Sequence, residues 1–184
     1  YGFEKVYKQG FTINTPLNLK LQEQATKSLR AGLIEFDKKK GWRGPLLNRK
    51  NKSNWKINLK DYKLEKSIGW KLSIIKKVNR FSAEIEVIDG NRGIIEFSSI
   101  DWTKKNFEEI FDVGDIVYVD RIEDNKYNLQ QLPRVNGAIV VIDPFTGRVL
   151  ALSGGFSFKN TRIGKNRRSS LGYYIRSGSS NQIT

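Results

Sequence analysis

Few residues in this chain could carry covalent chemistry. There is no histidine and no cysteine, which removes imidazole acid–base catalysis, thiolate nucleophiles, disulfides and the usual zinc ligand sets. Serine is a nucleophile that remains, and it needs a neighbouring base to take its proton. From residue 153 onward the serines are Ser153, Ser157, Ser169, Ser170, Ser177, Ser179 and Ser180. Three positions after each stand Phe156, Asn160, Gly172, Tyr173, Ser180, Gln182 and Ile183. None of these is a lysine.

The other chemical signal is charge. The net charge of +14 over 184 residues points to polyanions: nucleic acid, anionic lipid or an anionic wall polymer. It is concentrated in two places. Residues 38–66 hold eleven Lys/Arg against Asp61 and Glu65, and residues 159–184 hold six basic residues and no acid, leaving the remainder close to neutral. No run approaches 18 apolar residues and the start lacks a signal-peptide pattern, so neither a membrane span nor a leader is expected in it.

Several elements must hold whatever site exists. "TPLNLKLQEQATKSLRAGLIEFDKKKG" predicts a long helix, with Thr15 as N-cap and Pro16 in the first helical position. Leu21, Ala25, Leu29, Leu33 and Phe36 form its apolar stripe, and Gly41 follows its basic end. Residues 42–66 lack periodicity and read as a solvated connector with Trp42 and Trp55 as isolated anchors; contact with anionic headgroups is a second use for its lysines. Residues 67–131 alternate in the manner of strands, with turn residues in "DGNRG" and "IEDN", and predict five short strands in a small closed or partly open barrel, around a small helical or irregular insert near "SSIDWTKKNFEEIF". "AIVVID" and "RVLALSG" then flank "PFTG" as a hairpin. Its first strand is apolar on both faces, which predicts a place inside a sheet covered on both sides.

Read together, these residues resemble the class A penicillin-binding proteins, the bifunctional transglycosylase/transpeptidases of bacterial wall synthesis, most closely their 1A type. "TINTPLNLKLQEQA" is similar to the linker helix of that family, "KKGWRGPL" to its "GYRGP", and "FDVGDIVYV" followed by "YNLQQLPRVNGAIVVIDPFTGRVLALSGGFSF" to the end of the OB-like domain and the first transpeptidase strands. The resemblance implies a mainly β fold with one long helix: an OB-like five-stranded barrel, a linker helix, and a β-hairpin from an incomplete α/β transpeptidase domain. The divisions expected are 1–41 for the linker and helix, 42–134 for the OB-like domain with its basic insertion, 135–158 for the first transpeptidase strands, and 159–184 for a remnant tail. In that tail Arg176, Ser177 and Gly178 resemble the family's K-T-G strand, with arginine in place of lysine. The bulk of the transpeptidase body is then absent between Phe158 and Thr161.

The family's S-x-x-K serine motif has no match after the hairpin, so the resemblance implies an accessory or docking region of a wall-synthesising enzyme, not a catalyst. No cofactor or metal is expected, and neither is β-lactam binding. The expected partners are a regulatory protein or peptidoglycan, through the OB-like domain, on the periplasmic side of the bacterial inner membrane; membrane association would come only through the parent. A second reading is an OB protein for single-stranded nucleic acid, stacking bases on Trp70, Phe81, Phe97 and Trp102 beside Lys71, Lys76, Lys77 and Arg80. A third is an intact enzyme using Ser177 or Ser179, for which no base is at hand.

Overall fold

The computed structural model describes residues 14–48, 54–57 and 59–157. Helix α1 spans Leu19–Lys38, about 30 Å of rod at 1.5 Å per residue. It begins later than Thr15 and Pro16 suggest. Asn18 is the N-cap: its backbone is extended and its Oδ1 accepts the Leu21 N–H at 3.2 Å. The Asn18 N–H also donates to the Leu150 carbonyl at 2.8 Å. That bond ties the cap residue to a strand edge, so coiling starts just beyond it. Replacing Asn18 by alanine should lower stability by about 1 kcal/mol, whereas serine, which restores an acceptor, should recover most of it. Urea denaturation of the two variants checks this.

Ala25 and Leu33 are buried and Leu21 and Leu29 half-buried, as the stripe requires, but Phe36 is 51% exposed. The helix is turned so that Asp37, 1% exposed, faces inward instead. Gly41, at φ +84°, lets the chain reverse after the helix.

Five strands form a closed ring. They are β2 (Lys71–Asn79), β3 (Ser82–Val87), β4 (Arg92–Glu96), β5 (Asp115–Glu123) and β6 (Lys126–Gln130), after a two-residue β1 (Leu47–Asn48). Around the ring the order is β5–β2–β3–β4–β6 and back to β5; β1 pairs with β5 outside it. Every pairing is antiparallel except β4–β6, where Ile94 faces Lys126 and Ile95 faces Tyr127 in parallel. One parallel closure is what a chain needs when an insert carries it across the barrel before the last hairpin. That insert consists of two 3-10 turns (Phe97–Ser99 and Asp101–Thr103) and the single-turn helix α2 (Phe107–Ile110). Phe107, Ile110 and Phe111 join the barrel's interior cluster with Ile75, Ile85, Ile95 and Leu129. This is the OB plan, and closure leaves the barrel without free edges.

The described residues of 42–66 do not form a solvated connector. Trp55 and Leu59 are 1% and 2% exposed and pack with Leu72, Ile74, Ile116 and Tyr118 in a second cluster on the outside of the barrel. Alternation explains why a second cluster exists: Ser73 and Ile75 point into the barrel, so Leu72 and Ile74 must point out and need a cover. The connector supplies it.

The hairpin comprises β7 (Ala138–Ile142) and β8 (Val149–Gly154), a separate two-stranded sheet. Asp143 closes its turn: Oδ1 accepts the Phe145 N–H at 2.9 Å and Oδ2 the Thr146 hydroxyl at 2.6 Å. Helix α1 covers one face. There Ala151 is fully buried, and Gly137 passes so close that an added Cβ would lie 3.4 Å from Leu33 and 3.5 Å from Leu29. The sequence predicts cover on both faces; among the described residues only this one is covered. On the other, Val140 is 49% and Ile142 54% exposed.

Candidate functional site

Arg176, Ser177 and Gly178 lie outside the described residues, as do Ser169, Ser170, Ser179 and Ser180. The two described serines of the hairpin region serve the packing. The Thr26 hydroxyl donates to Ser153 Oγ (3.2 Å), and the Ser157 hydroxyl donates to Glu65 Oε1 (3.1 Å). A Ser-x-x-Lys spacing does occur earlier, at Ser73 and Lys76, but on a strand. Residues three apart on a strand point to opposite faces. Ser73 is wholly buried inside the barrel, and Lys76 lies outside it, 2.9 Å from Glu86 Oε2. The second such spacing is Ser53 with Lys56; Ser53 is outside the described residues, and Lys56 sits 3.6 Å from Glu86 and over the Trp55 ring. No group of three metal-ligating side chains occurs among the described residues.

What the fold does build is a joint at which α1, the barrel and the hairpin are locked together. Its first centre is Asp37. Arg43 approaches the carboxylate with both terminal nitrogens, Nη1 at 2.9 Å from Oδ1 and Nη2 at 2.8 Å from Oδ2, the two-pronged geometry that suits guanidinium and carboxylate. Gln131 Nε2 donates to Oδ2 at 2.9 Å, and the Arg134 backbone N–H to Oδ1 at 3.1 Å. Arg43 also reaches the Leu132 carbonyl at 2.7 Å, and Gln131 Oε1 accepts the Arg43 N–H at 2.9 Å. One carboxylate thus joins the end of the helix, the entry to the barrel and the exit from it.

The second centre is Arg30. Its Nε donates to the Phe156 carbonyl (3.0 Å), Nη1 to Ser67 Oγ (3.1 Å) and Nη2 to Glu65 Oε2 (3.2 Å). Trp70 stacks obliquely on Phe156, with ring centres 5.2 Å apart, on the same side. Gln22 makes the third tie. Its Nε2 donates to the Leu152 carbonyl and its Oε1 accepts the Leu152 N–H, both at 2.9 Å. A side-chain amide here takes the place of a neighbouring strand on the outer edge of β8.

Burial works to raise the pKa of Asp37, but the hydrogen bonds from Arg43, Gln131 and the Arg134 N–H outweigh it and hold the carboxyl below the usual carboxylate range. Nearby, burial lowers the pKa of Lys38 while Asp120 opposes the shift; the ammonium lies 5.1 Å over the Trp102 ring. Burial raises the pKa of Asp120, against a backbone N–H and Lys38.

The nucleic-acid reading finds little support in the barrel surface. Lys71, Lys76 and Lys77 pair with Asp89, Glu86 and Glu84 at 2.6, 2.9 and 3.7 Å, and Arg80 lies over Phe81. Trp70 packs against Tyr118 and Phe156, and Trp102 edge-on against Trp42; Phe81 and Phe97 are the exposed pair. A single-strand groove needs unpaired cations beside open rings.

Sequence reasoning assigned a role to none of the joint's residues: Gln22, Arg43, Gln131 and Arg134 fall inside stretches that carry the family resemblance, and Arg30 and Asp37 inside the helix stretch. Their partners lie 6 to 130 residues away, and nothing in local periodicity reports such pairings.

Residues 42–135 match the family described as Penicillin-binding protein OB-like domain. Among curated proteins the chain is similar to penicillin-binding protein 1A of Rickettsia prowazekii, 38% identical over 164 residues, and to that of Escherichia coli, 27% identical over 182 residues. These matches cover 87% and 90% of the chain and 21% of each relative, so the chain spans about a fifth of their length. Among solved structures, the crystal structure of penicillin-binding protein 1A from Haemophilus influenzae matches 86% of the chain with a TM-score of 0.65 and 25% identity, over 25% of its own length. The barrel and its helix agree with these matches: the chain belongs to the class A penicillin-binding proteins and carries their OB-like domain.

Proposed function

We propose that this chain is the accessory and docking region of a peptidoglycan-synthesising enzyme on the periplasmic side of the inner membrane, and that it neither polymerises nor cross-links glycan itself. The observation that carries the reading is the one-sided cover of the hairpin. Helix α1 seals one face of β7–β8 and the outer edge of β8, leaving Val140, Ile142 and Val149 on a bare apolar face. Such a face suits a further protein body packed against it, as a transpeptidase domain would be. The barrel is the part free to take partners, with the wall polymer or a regulatory protein as the classes its setting favours. No described helix is long and apolar enough to cross a membrane, so in this reading membrane attachment belongs to the parent.

Incubation with a fluorescent β-lactam tests the non-catalytic assignment. Gel electrophoresis under denaturing conditions should show no labelled band, because a serine without an adjacent base does not acylate at a useful rate. A covalently labelled chain overturns the assignment.

A further inference from the structure

An open groove of about 490 Å³ lies on the outside of the barrel, over β3 and β4, within the range for ligand sites. Ile85 and Gly93, buried and paired across the two strands, can line it only from beneath. Ile95 points into the barrel, so by alternation Arg92 and Ile94 point out into the groove. Lys76, Glu84 and the Asn125 of the β5–β6 turn complete the lining. It contains no aromatic ring, so it offers bases nothing to stack on. β3 and β4 are the second and third strands of the barrel, the face on which folds of this plan hold oligosaccharides and oligonucleotides.

The charges here are unevenly matched. On the barrel strands Lys71, Lys76, Lys77, Arg121 and Lys126 each have a carboxylate partner. Arg92 is exposed and has no ion pair, hydrogen bond or ring contact among the described residues. The acid that faces it across β3–β4 is Glu86, at the spacing of a cross-strand pair. That carboxylate is already engaged. Lys76 Nζ lies 2.9 Å from Oε2 and Lys56 Nζ 3.6 Å from Oε1, and Trp55 Nε1 donates to Oε1 at 3.3 Å. Glu84, the acid in the lining, is met by Lys77 at 3.7 Å. Lys56, Lys76, Lys77 and Arg92 thus stand against Glu84 and Glu86 alone, and the groove keeps a positive excess centred on Arg92.

We propose that this groove binds a carboxylate of the wall polymer, with the Arg92 guanidinium as the principal contact. Two parallel N–H groups of a guanidinium match the two oxygens of a carboxylate, and Lys76 adds attraction without leaving Glu86. Ile94 gives an apolar rest to the aliphatic part of the ligand beside the acid. The proposal deepens the reading of the barrel as the surface that takes the wall polymer, and rests on it.

The test follows the Arg92 Nε–H and Ile94 amide signals by NMR in the full chain. The titrants are the disaccharide–tetrapeptide unit of peptidoglycan and the same unit with its carboxylates converted to amides. Both signals should shift and saturate with the acid, and the amide form should bind about tenfold more weakly, the scale of one charged hydrogen bond. Arg92→Gln should lose a similar factor yet melt like wild type, since it breaks no contact. Arg92→Lys, which keeps the charge but not the fork, should fall between. Lys39→Gln removes the same charge at the end of α1 and should leave binding unchanged, which separates a site from general attraction to a chain of net charge +14. Binding should persist in the free tetrapeptide or in the peptide-free disaccharide, whose lactyl group then carries the acid, and the fragment that keeps it names the source of the carboxylate. Unmoved signals, equal binding of the amide form, loss of binding in both fragments, unchanged binding by Arg92→Gln, or an equal loss in Lys39→Gln overturns the proposal. So does tighter binding of a single-stranded oligonucleotide, which would make this a phosphate groove. Co-sedimentation with insoluble peptidoglycan separates the two levels. If wild type and Arg92→Gln sediment alike, the polymer reading stands and the groove falls; if wild type stays in solution, the polymer reading falls and takes the groove's ligand with it.

Discussion

Asp37→Ala is expected to destabilise the chain by about 3 kcal/mol, the scale for removing one partner of a buried ion pair. The loss exceeds that of a surface pair because Asp37 is 1% exposed and four donor contacts converge on it. Without it Arg43 keeps the Leu132 carbonyl and Gln131 keeps the Gly41 carbonyl, so the barrel should survive as a folded unit while α1 and the hairpin loosen from it. Asp37→Asn should fall between, since its amide keeps one acceptor but turns an NH₂ toward donors. Urea denaturation measures the loss, and hydrogen exchange locates it on α1 and β7–β8. A loss below about 1 kcal/mol would mean the joint is held elsewhere.

The same carboxylate gives a pH dependence of known sign. Its pKa is lowered in the folded chain, so its contribution is fully present above the unfolded value, about pH 4, and fades as pH falls through the lower folded one. Glu86 and Asp89 are also lowered, chiefly by hydrogen bonds to Lys76 and Lys71, so wild type alone cannot isolate Asp37. The difference between the wild-type and Asp37→Asn stability curves can. It should be flat above pH 5 and shrink below pH 4.

Gly93→Val is expected to be at least as damaging, at about 3 kcal/mol or more, the upper part of the overpacking range. Even a bare Cβ at Gly93 would meet the Asn125 carbonyl oxygen at 2.7 Å and run into the Tyr127 ring. That oxygen cannot simply withdraw. It accepts the Ile94 N–H at 2.7 Å, and Asn125 already holds a left-handed backbone at φ 63° in the β5–β6 turn. Relief therefore means parting β4 from β6, the one parallel contact that closes the ring. A thermal melt and the Tyr127 NMR signals report the outcome; a variant that melts like wild type would show that the closure tolerates widening.

These effects also mark what the sequence could convey. The barrel was legible because each of its strands alternates and ends in turn residues, and the helix because its apolar residues recur at helical spacing. The helix register at Phe36 was misjudged for a definite reason. Periodicity finds apolar residues, and here an acid, Asp37, takes the inward place because Arg43 and Gln131 await it. Trp55 and Leu59 sit in a stretch without period, and their burial follows from the outward face of β2, some fifteen residues on. The long separations of the joint leave no local trace: Gln22 and Leu152 are 130 residues apart. The KTG-like residues Arg176, Ser177 and Gly178 fall outside the described part of the chain.

Hydrogen bonds from Gly155 to Gly137 and from Asp143 to Arg148 direct the odd-numbered backbone groups of β7 toward β8, so those of Ala138, Val140 and Ile142 turn the other way. Among the described residues no strand pairs with that flank and Gln22 plugs the opposite one, so the ribbon can be lengthened sideways in one direction only. Two molecules that met through this flank would satisfy each other and stop, because each would then present a plugged margin to the next. Fibre growth, the usual hazard of a greasy two-stranded ribbon, is thereby limited to a pair.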